Sequence, residues 1–240
     1  MIGAIIQARM GSTRLPGKVM LEAGGKPLLS HLITRVGYCR RVDRIIVATT
    51  TNERDDVIEE LCRSLDVKVY RGSESDVLDR YYKAAEAHGI SCVVRVTSDC
   101  PLIDPELIDE QLSYFADKLD QYDLITNRHP LTYADGLDFD VIPFEALAFV
   151  WRAATASHQR EHVVPYFWET GMRVHNFEDP RRLFLTHRWT LDYVEDYELI
   201  KAIYAALYRN GHRFTTDDIL KFLGANPVIP QINAKYLPTH

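Results

Sequence analysis

Short, continuous apolar runs alternate with longer amphipathic stretches through the first half of the chain. Ile2–Ile6, Arg44–Ala48, Val67–Tyr70 and Cys92–Val96 have the length and β-branched content of strands apolar on both faces. Between them, Leu28–Val36, Asp55–Ser64 and Val77–Ala87 carry helical periodicity, the first entered through Pro27. Asp104 stands where it would cap a helix starting at Pro105, with Glu106 in its first turn. Asp123–Ile125 is one more short strand. Apolar strands separated by helices predict a doubly wound, mostly parallel α/β sheet covered on both faces. Ligands of such sheets bind beyond the carboxyl ends of the strands.

The pattern loosens in the second half. Leu137–Ile142 and Leu183–Leu191 read as strands and Val194–Arg209 as a helix. Thr215 and Asp218 form a capping box for a helix reaching about Leu223. Three prolines from Pro227 onward predict an extended tail. With no repeat and no linker-like segment, the 240 residues are expected to form one domain, in which about 126–186 is an irregular acceptor-side region.

Charge narrows the function. A net charge of −6 argues against a nucleic-acid binder, so any anion site must be a local concentration of cations. The apolar runs are too short to span a membrane, and Met1 leads into a strand without a charged leader, which predicts a soluble, cytoplasmic protein. Cys39, Cys62, Cys92 and Cys100 have no zinc-ligand spacing and are expected to be buried thiols.

The local concentration of cations is Gln7–Lys18 (QARMGSTRLPGK), directly after the first strand. Arg9, Arg14 and Lys18 are unopposed by any acidic residue before Glu22, Gly11 and Gly17 let the backbone approach a ligand, and Ser12 and Thr13 add donors. Ala8, Arg9, Gly11, Ser12, Arg14 and Lys18 are therefore the candidate nucleotide-phosphate residues, with a solvated basic turn as the plainer alternative. The loop matches neither the Walker pattern nor the dinucleotide fingerprint.

Two aspartates stand at corresponding positions. Asp99 follows the strand of CVVRVTSDCPLID, where it either binds a divalent metal beside a triphosphate or caps a turn. Asp192 ends RLFLTHRWTLDY as its candidate partner, or as a helix cap. Asp138 and Asp140 of DGLDFD would share one face of a strand, bound to acceptor hydroxyls or simply solvated. Arg128 and Arg160 are candidates for an acceptor carboxylate or phosphate.

IIQARMGSTRLPGK followed by GKPL resembles the cytidylyltransferases that make CMP-activated sugar acids, the KDO and acylneuraminate enzymes, and most of all their spore-coat polysaccharide branch. The likeness is specific over about the first 105 residues and looser to about Leu199. It implies CTP as co-substrate, with the triphosphate on Arg9, Ser12, Arg14 and Lys18 and a nucleotide-side contact from Arg71. It also implies Mg²⁺ on Asp99 and Asp192, since SDCPLID and LDYVEDYELI are similar to the family's two metal segments. Attack of an acceptor hydroxyl on the α-phosphorus would then release pyrophosphate, with Lys18, Arg9 and Asp99 as catalytic residues. Family members often form homodimers.

The same residues admit other classes. A nucleotide-sugar-dependent glycosyltransferase would carry Asp-x-Asp, which is absent at Asp99 and present later only as Asp138-x-Asp140. A non-catalytic nucleotide-binding regulator is a third class. His158–His162 (HQREH) fits the H-x-x-E-H pattern of zinc hydrolases, with Glu161 as base. Pro165, however, predicts that a helix starts there rather than spanning the motif, and proteolysis would leave the phosphate loop unused. REHVVPY resembles a run of the spore-coat branch, which implies an acceptor-side or structural role.

Overall fold

The computed structural model describes residues 1–116, 118, 120–208 and 213–238. In chain order, β1 (Ile2–Gln7) is followed by a two-residue hairpin, β2 (Glu22–Ala23) and β3 (Lys26–Pro27), then α1 (Leu28–Val36), β4 (Arg44–Thr50), α2 (Asp56–Ser64), β5 (Lys68–Gly72), α3 (Val77–Ala87), β6 (Cys92–Thr97) and α4 (Pro105–Phe115). The second half contains β7 (Leu124–Thr126), β8 (Phe139–Pro143), α5 (Phe144–Ala153), α6 (Ser157–His162), α7 (Pro165–Glu169), β9 (Val174–Asn176), α8 (Val194–Leu207) and α9 (Thr216–Ala225).

Seven strands make one sheet in the order β5-β4-β1-β6-β8-β7-β9. The strands are apolar on both faces because both faces are covered. In β1, Ala4 and Ile6 join the core beneath α1, α2 and α4, whereas Ile5 joins the opposite core beneath α3 and α5. Leu29, Leu32, Ile33 and Val36 form the buried stripe of α1 at helical spacing, each stabilising by roughly 1.5–3 kcal/mol. Only β8 runs against its neighbours, pairing Phe139 with Val96. That reversal returns residues 127–138 to the edge where β1 and β6 end, the edge from which the loop Gln7–Lys18 also leaves.

Four sequence expectations change. Leu183–Leu191 is not a strand: Leu183–Leu185 is a 3₁₀ turn, and the following backbone bonds to loops, Trp189 N to Asp135 O (2.6 Å) and Leu191 N to Asp99 O (2.8 Å). Its apolar residues Leu183, Trp189 and Leu191 pack against α8 and α9 in a third core. The stretch after Pro227 folds back in two 3₁₀ turns, Ile229–Ile232 and Ala234–Tyr236, drawn in by buried Asn233; Thr239 and His240 lie outside the described residues. Helix α6 covers HQREH after all, and α7 starts separately at Pro165. Residues 126–186 hold α5, α6, α7 and β9, more regular structure than the loosened pattern suggests. Helix α8 ends at Leu207, and Arg209, its expected last residue, lies outside the described residues.

The expected caps are present, Asp104 accepting from Glu106 N (3.0 Å) and Thr215 exchanging bonds with Asp218. All four cysteines are buried free thiols, and burial pushes those of Cys39, Cys62 and Cys92 up to about 12. Among the described residues no helix is long and apolar enough to cross a membrane.

Candidate active site

The loop leaving β1 is fixed by its own backbone. Met10 N donates to Asp55 Oδ1 (2.8 Å), and the other Asp55 oxygen accepts from the Thr50 hydroxyl. Ser12 N and Gly17 N both donate to Met10 O, at 2.9 and 3.0 Å. Closing the loop this way needs Gly17 at φ 70°, which glycine adopts without steric cost. A single 3₁₀ turn over Lys18–Met20 then aims Lys18 inward. Ala8, Arg9, Ser12, Arg14 and Lys18 line one cleft of about 320 Å³ together with Asp99, Ser98, Val77, Arg80, Glu161 and His162. Gly11 lies beside Arg54 instead. A larger hollow of about 540 Å³ between α8 and α9 shares no residue with this cleft and is lined mainly by apolar groups such as Leu207, Phe214 and Phe222.

Lys18 joins the two aspartates although they stand 93 positions apart in the numbering (192 − 99). Its Nζ donates to Leu191 O (2.6 Å) and Asp192 Oδ1 (3.0 Å) and lies 3.7 Å from Asp99 Oδ2. Arg14 reaches the same Asp192 oxygen at 2.7 Å. Burial would raise the Asp99 carboxyl, but the Lys18 charge and the Thr97 hydroxyl outweigh it and hold it below the usual carboxylate range. Asp99 thus stays an anion. Two carboxylates already bridged by one ammonium offer the hard oxygen donors that Mg²⁺ takes, and phosphate and water oxygens commonly complete such sites. The residues fit that ion, although no group of three or more His, Cys, Asp or Glu side chains gathers as a protein-only ligand set among the described residues.

Arg188, missed in the sequence, organises the far wall. Its guanidinium bonds Asp135 Oδ2 (2.5 Å), Asp192 Oδ2 (3.2 Å) and Asp196 (3.1 and 3.2 Å). Asp196, fully buried, also accepts from Asp192 N, Tyr193 N and Asn233 Nδ2. Gly136 lets this wall close, since a Cβ there would fall 2.4 Å from Thr190 N. The spacing Arg188-x₃-Asp192 was the only local signal, and it is ambiguous outside a helix.

The acceptor-side candidates separate. Asp138 is absent from the cleft lining and half-buried just before β8, with Oδ1 out of solvent and unpartnered among the described residues. Burial, and then the charges of Asp135, Asp99 and Asp140 acting against Arg128, push its carboxyl up to about 7. Burial opposes the charge on Arg128, but Asp140 and Asp138 outweigh it and raise its pKa. Asp140 is not presented to any acceptor: it is fully buried on Arg95 at 2.6 Å. Arg160 is likewise engaged, bonding Asp76 (2.6 Å) and Trp151 O (2.6 Å). Arg71 is absent from the cleft lining and is held by Asp56 (2.6 Å), Glu59 (2.9 Å) and two backbone carbonyls.

HQREH is anchored rather than gathered. His158 and Gln159 bond Glu169 of α7, at 2.9 and 2.8 Å, while Glu161 and His162 line the cleft. The chain then turns sharply at Val163 (φ 72°, ψ −56°), where Val164 N donates to His162 O (2.9 Å). This positive-φ γ-turn at a β-branched residue costs about 1–3 kcal/mol and is sustained by complete burial of Val163.

A mostly parallel sheet whose carboxyl edge joins a cationic loop to Asp99 beyond β6 and to Asp192 ahead of α8 has the site of a nucleotidyltransferase. The cytidylyltransferase family model matches residues 3–214, and the chain belongs to that family, whose members transfer CMP from CTP. A spore coat polysaccharide biosynthesis protein of Bacillus subtilis (SpsF) is 38% identical over 93% of this chain and 94% of that protein. A solved cytidylyltransferase from Leptospira borgpetersenii superposes with a TM-score of 0.90 at 33% identity, covering 96% of both chains. A 3-deoxy-manno-octulosonate cytidylyltransferase of Geobacter sulfurreducens is 36% identical over 48% of this chain and 46% of its own. The likeness therefore extends past Leu199, and the glycosyltransferase, regulator and zinc-hydrolase alternatives give way.

Proposed function

We propose that this cytidylyltransferase moves CMP onto a hydroxyl of a sugar acid or related small acid, releasing pyrophosphate. The observation that carries the reading is Lys18, which ties the phosphate loop to Asp99 and Asp192 at one sheet edge. Arg9, Arg14 and Lys18 hold the triphosphate and stabilise the departing pyrophosphate, while Ala8, Gly11 and Ser12 shape the loop around it. Mg²⁺ on Asp99 and Asp192 would supply charge neutralisation at the α-phosphate and lower the pKa of the attacking hydroxyl. Arg128 offers a cation to the acceptor's carboxylate, and Asp138 offers its unpartnered oxygen to acceptor hydroxyls. SpsF and the octulosonate enzyme are named for polysaccharide and sugar-acid chemistry, which favours that acceptor class. We further infer a cytoplasmic homodimer, acting where CTP is made. Pyrophosphate release from CTP should respond to a panel of sugar acids; release with none of them, or only with plain alcohols, would refute the acceptor class.

A further inference from the structure

We propose that Glu161 reads the nucleotide's base, its carboxylate accepting the exocyclic amino group of cytosine and disfavouring uracil. The proposal rests on CTP being the nucleotide that enters the cleft. The short helix α6 is fixed from two sides: His158 and Gln159 bind Glu169 of α7, and Arg160 binds Asp76, the residue that caps α3. Both anchors leave Glu161 and His162 on the cleft wall, in the cleft that Val77 and Arg80 of that same α3 also line. No hydrogen bond or ion pair engages either side chain among the described residues. Val163 at the strained turn and Val164 after it are both buried, so the chain drops into the core immediately after these two side chains.

The wall's chemistry selects what lies against it. A triphosphate belongs with Arg9, Arg14, Lys18 and Ser12 and is repelled by a carboxylate, so Glu161, although it shares a second hollow with Arg9, faces a part of the nucleotide other than its phosphates. An apolar Val77 with the buried Arg80 behind it, an imidazole and a carboxylate suit a flat heterocycle with mixed donors and acceptors. Cytosine presents an amino donor that Glu accepts, with acceptors beside it for a cation. Uracil puts a carbonyl oxygen where that donor was, facing an anion. The His162 ring adds a stacking surface, which is indifferent to base identity.

The test is calorimetric titration of the full chain with CTP, UTP and 2′-deoxy-CTP in the presence of Mg²⁺. It is run on wild type, Glu161→Gln and Glu161→Ala, with folding checked by circular dichroism. Wild type should prefer CTP over UTP by at least about tenfold. Glu161→Gln, whose amide can donate to uracil, should bring the two within about threefold. Glu161→Ala should weaken CTP about tenfold without improving UTP. The ratio of CTP to deoxy-CTP should not move. An unchanged CTP-to-UTP ratio in both folded variants overturns the proposal, as does a change confined to deoxy-CTP, which would assign Glu161 to the ribose. Wild type that binds no CTP, or binds purines better, would instead refute the nucleotide assignment itself and the proposal with it.

Discussion

The two sides of the cleft handle charge in opposite ways. On the nucleotide side several charged groups remain accessible, the side chains of Arg9, Arg14 and Asp99 being 39%, 52% and 32% exposed, while Lys18 and Asp192 are enclosed as a pair at 11% each. The positions of the accessible groups are set by short backbone bonds in the loops rather than by burial. On the acceptor side the charges have largely found one another: Arg95 and Asp140 are 5% and 0% exposed, and Arg188 is enclosed by three aspartates. Accessible charges can exchange a protein partner for a phosphate at little cost, whereas buried pairs cannot be opened without stranding an ion. Under the proposed function, the accessible ions of the first side are the ones free to turn to ligands, and the buried pairs of the second hold the wall in place.

The sharpest way to break this contrast is Asp140→Ala, which leaves Arg95 buried without its partner. It should destabilise the fold by about 3–5 kcal/mol in urea unfolding. An unfolding midpoint close to wild type would mean that Asp140 is not structural, and would return it to the acceptor candidates. Asp99→Asn addresses the other side. Turnover measured as pyrophosphate release should fall by about two orders of magnitude, with the unfolding midpoint unchanged. Near-normal turnover in the folded variant would remove Asp99 from the proposed metal site. Lys18→Ala should be milder, weakening CTP binding by about tenfold while its dependence on Mg²⁺ concentration moves less. A larger shift in the Mg²⁺ response than in CTP affinity would make Lys18 a keeper of the two aspartates rather than a phosphate ligand.

Much of the nucleotide side was legible because its determinants are local. The bounds of α1 and α3 follow from apolar spacing, and the cap at Asp104 is a matter of two residues. The loop from Arg9 to Lys18 is readable as a phosphate site because glycines, cations and a preceding strand are contiguous. The acceptor side resisted because its determinants are distant. The apolar run from Leu183 to Leu191 has strand character, yet its backbone donors go to Asp99 and Asp135. Asn233 is buried only because Asp196 and Arg188 are there to receive its amide. Alternation along a strand puts Asp138 and Asp140 together, but one stays half-buried without an ion pair among the described residues and the other is inside a buried pair. The sequence carries no trace of that difference.

The exception on the acceptor side is Asp138, which is half-buried and makes no ion pair among the described residues, and it sharpens the comparison through pH. Its folded carboxyl is pushed up to about 7 by burial and by Asp135, Asp99 and Asp140, whereas an unfolded aspartate ionises near ~3.9. Between those values the folded chain retains a proton that the unfolded chain has lost. For a group whose folded pKa is raised in this way, stability declines as pH rises through the window and levels off above the folded pKa. Asp138→Asn removes the ionisation while keeping the size of the side chain. Melting temperatures from pH 5 to pH 8 should therefore fall less in the variant than in wild type. The slope should not vanish, because burial also raises Asp135, with Arg188 opposing and Asp99 and Asp192 adding to the shift. Parallel melting profiles for the two proteins would show that Asp138 is ionised in the fold across this range. It would then be an open anion like those of the nucleotide side rather than a neutral group on the acceptor wall.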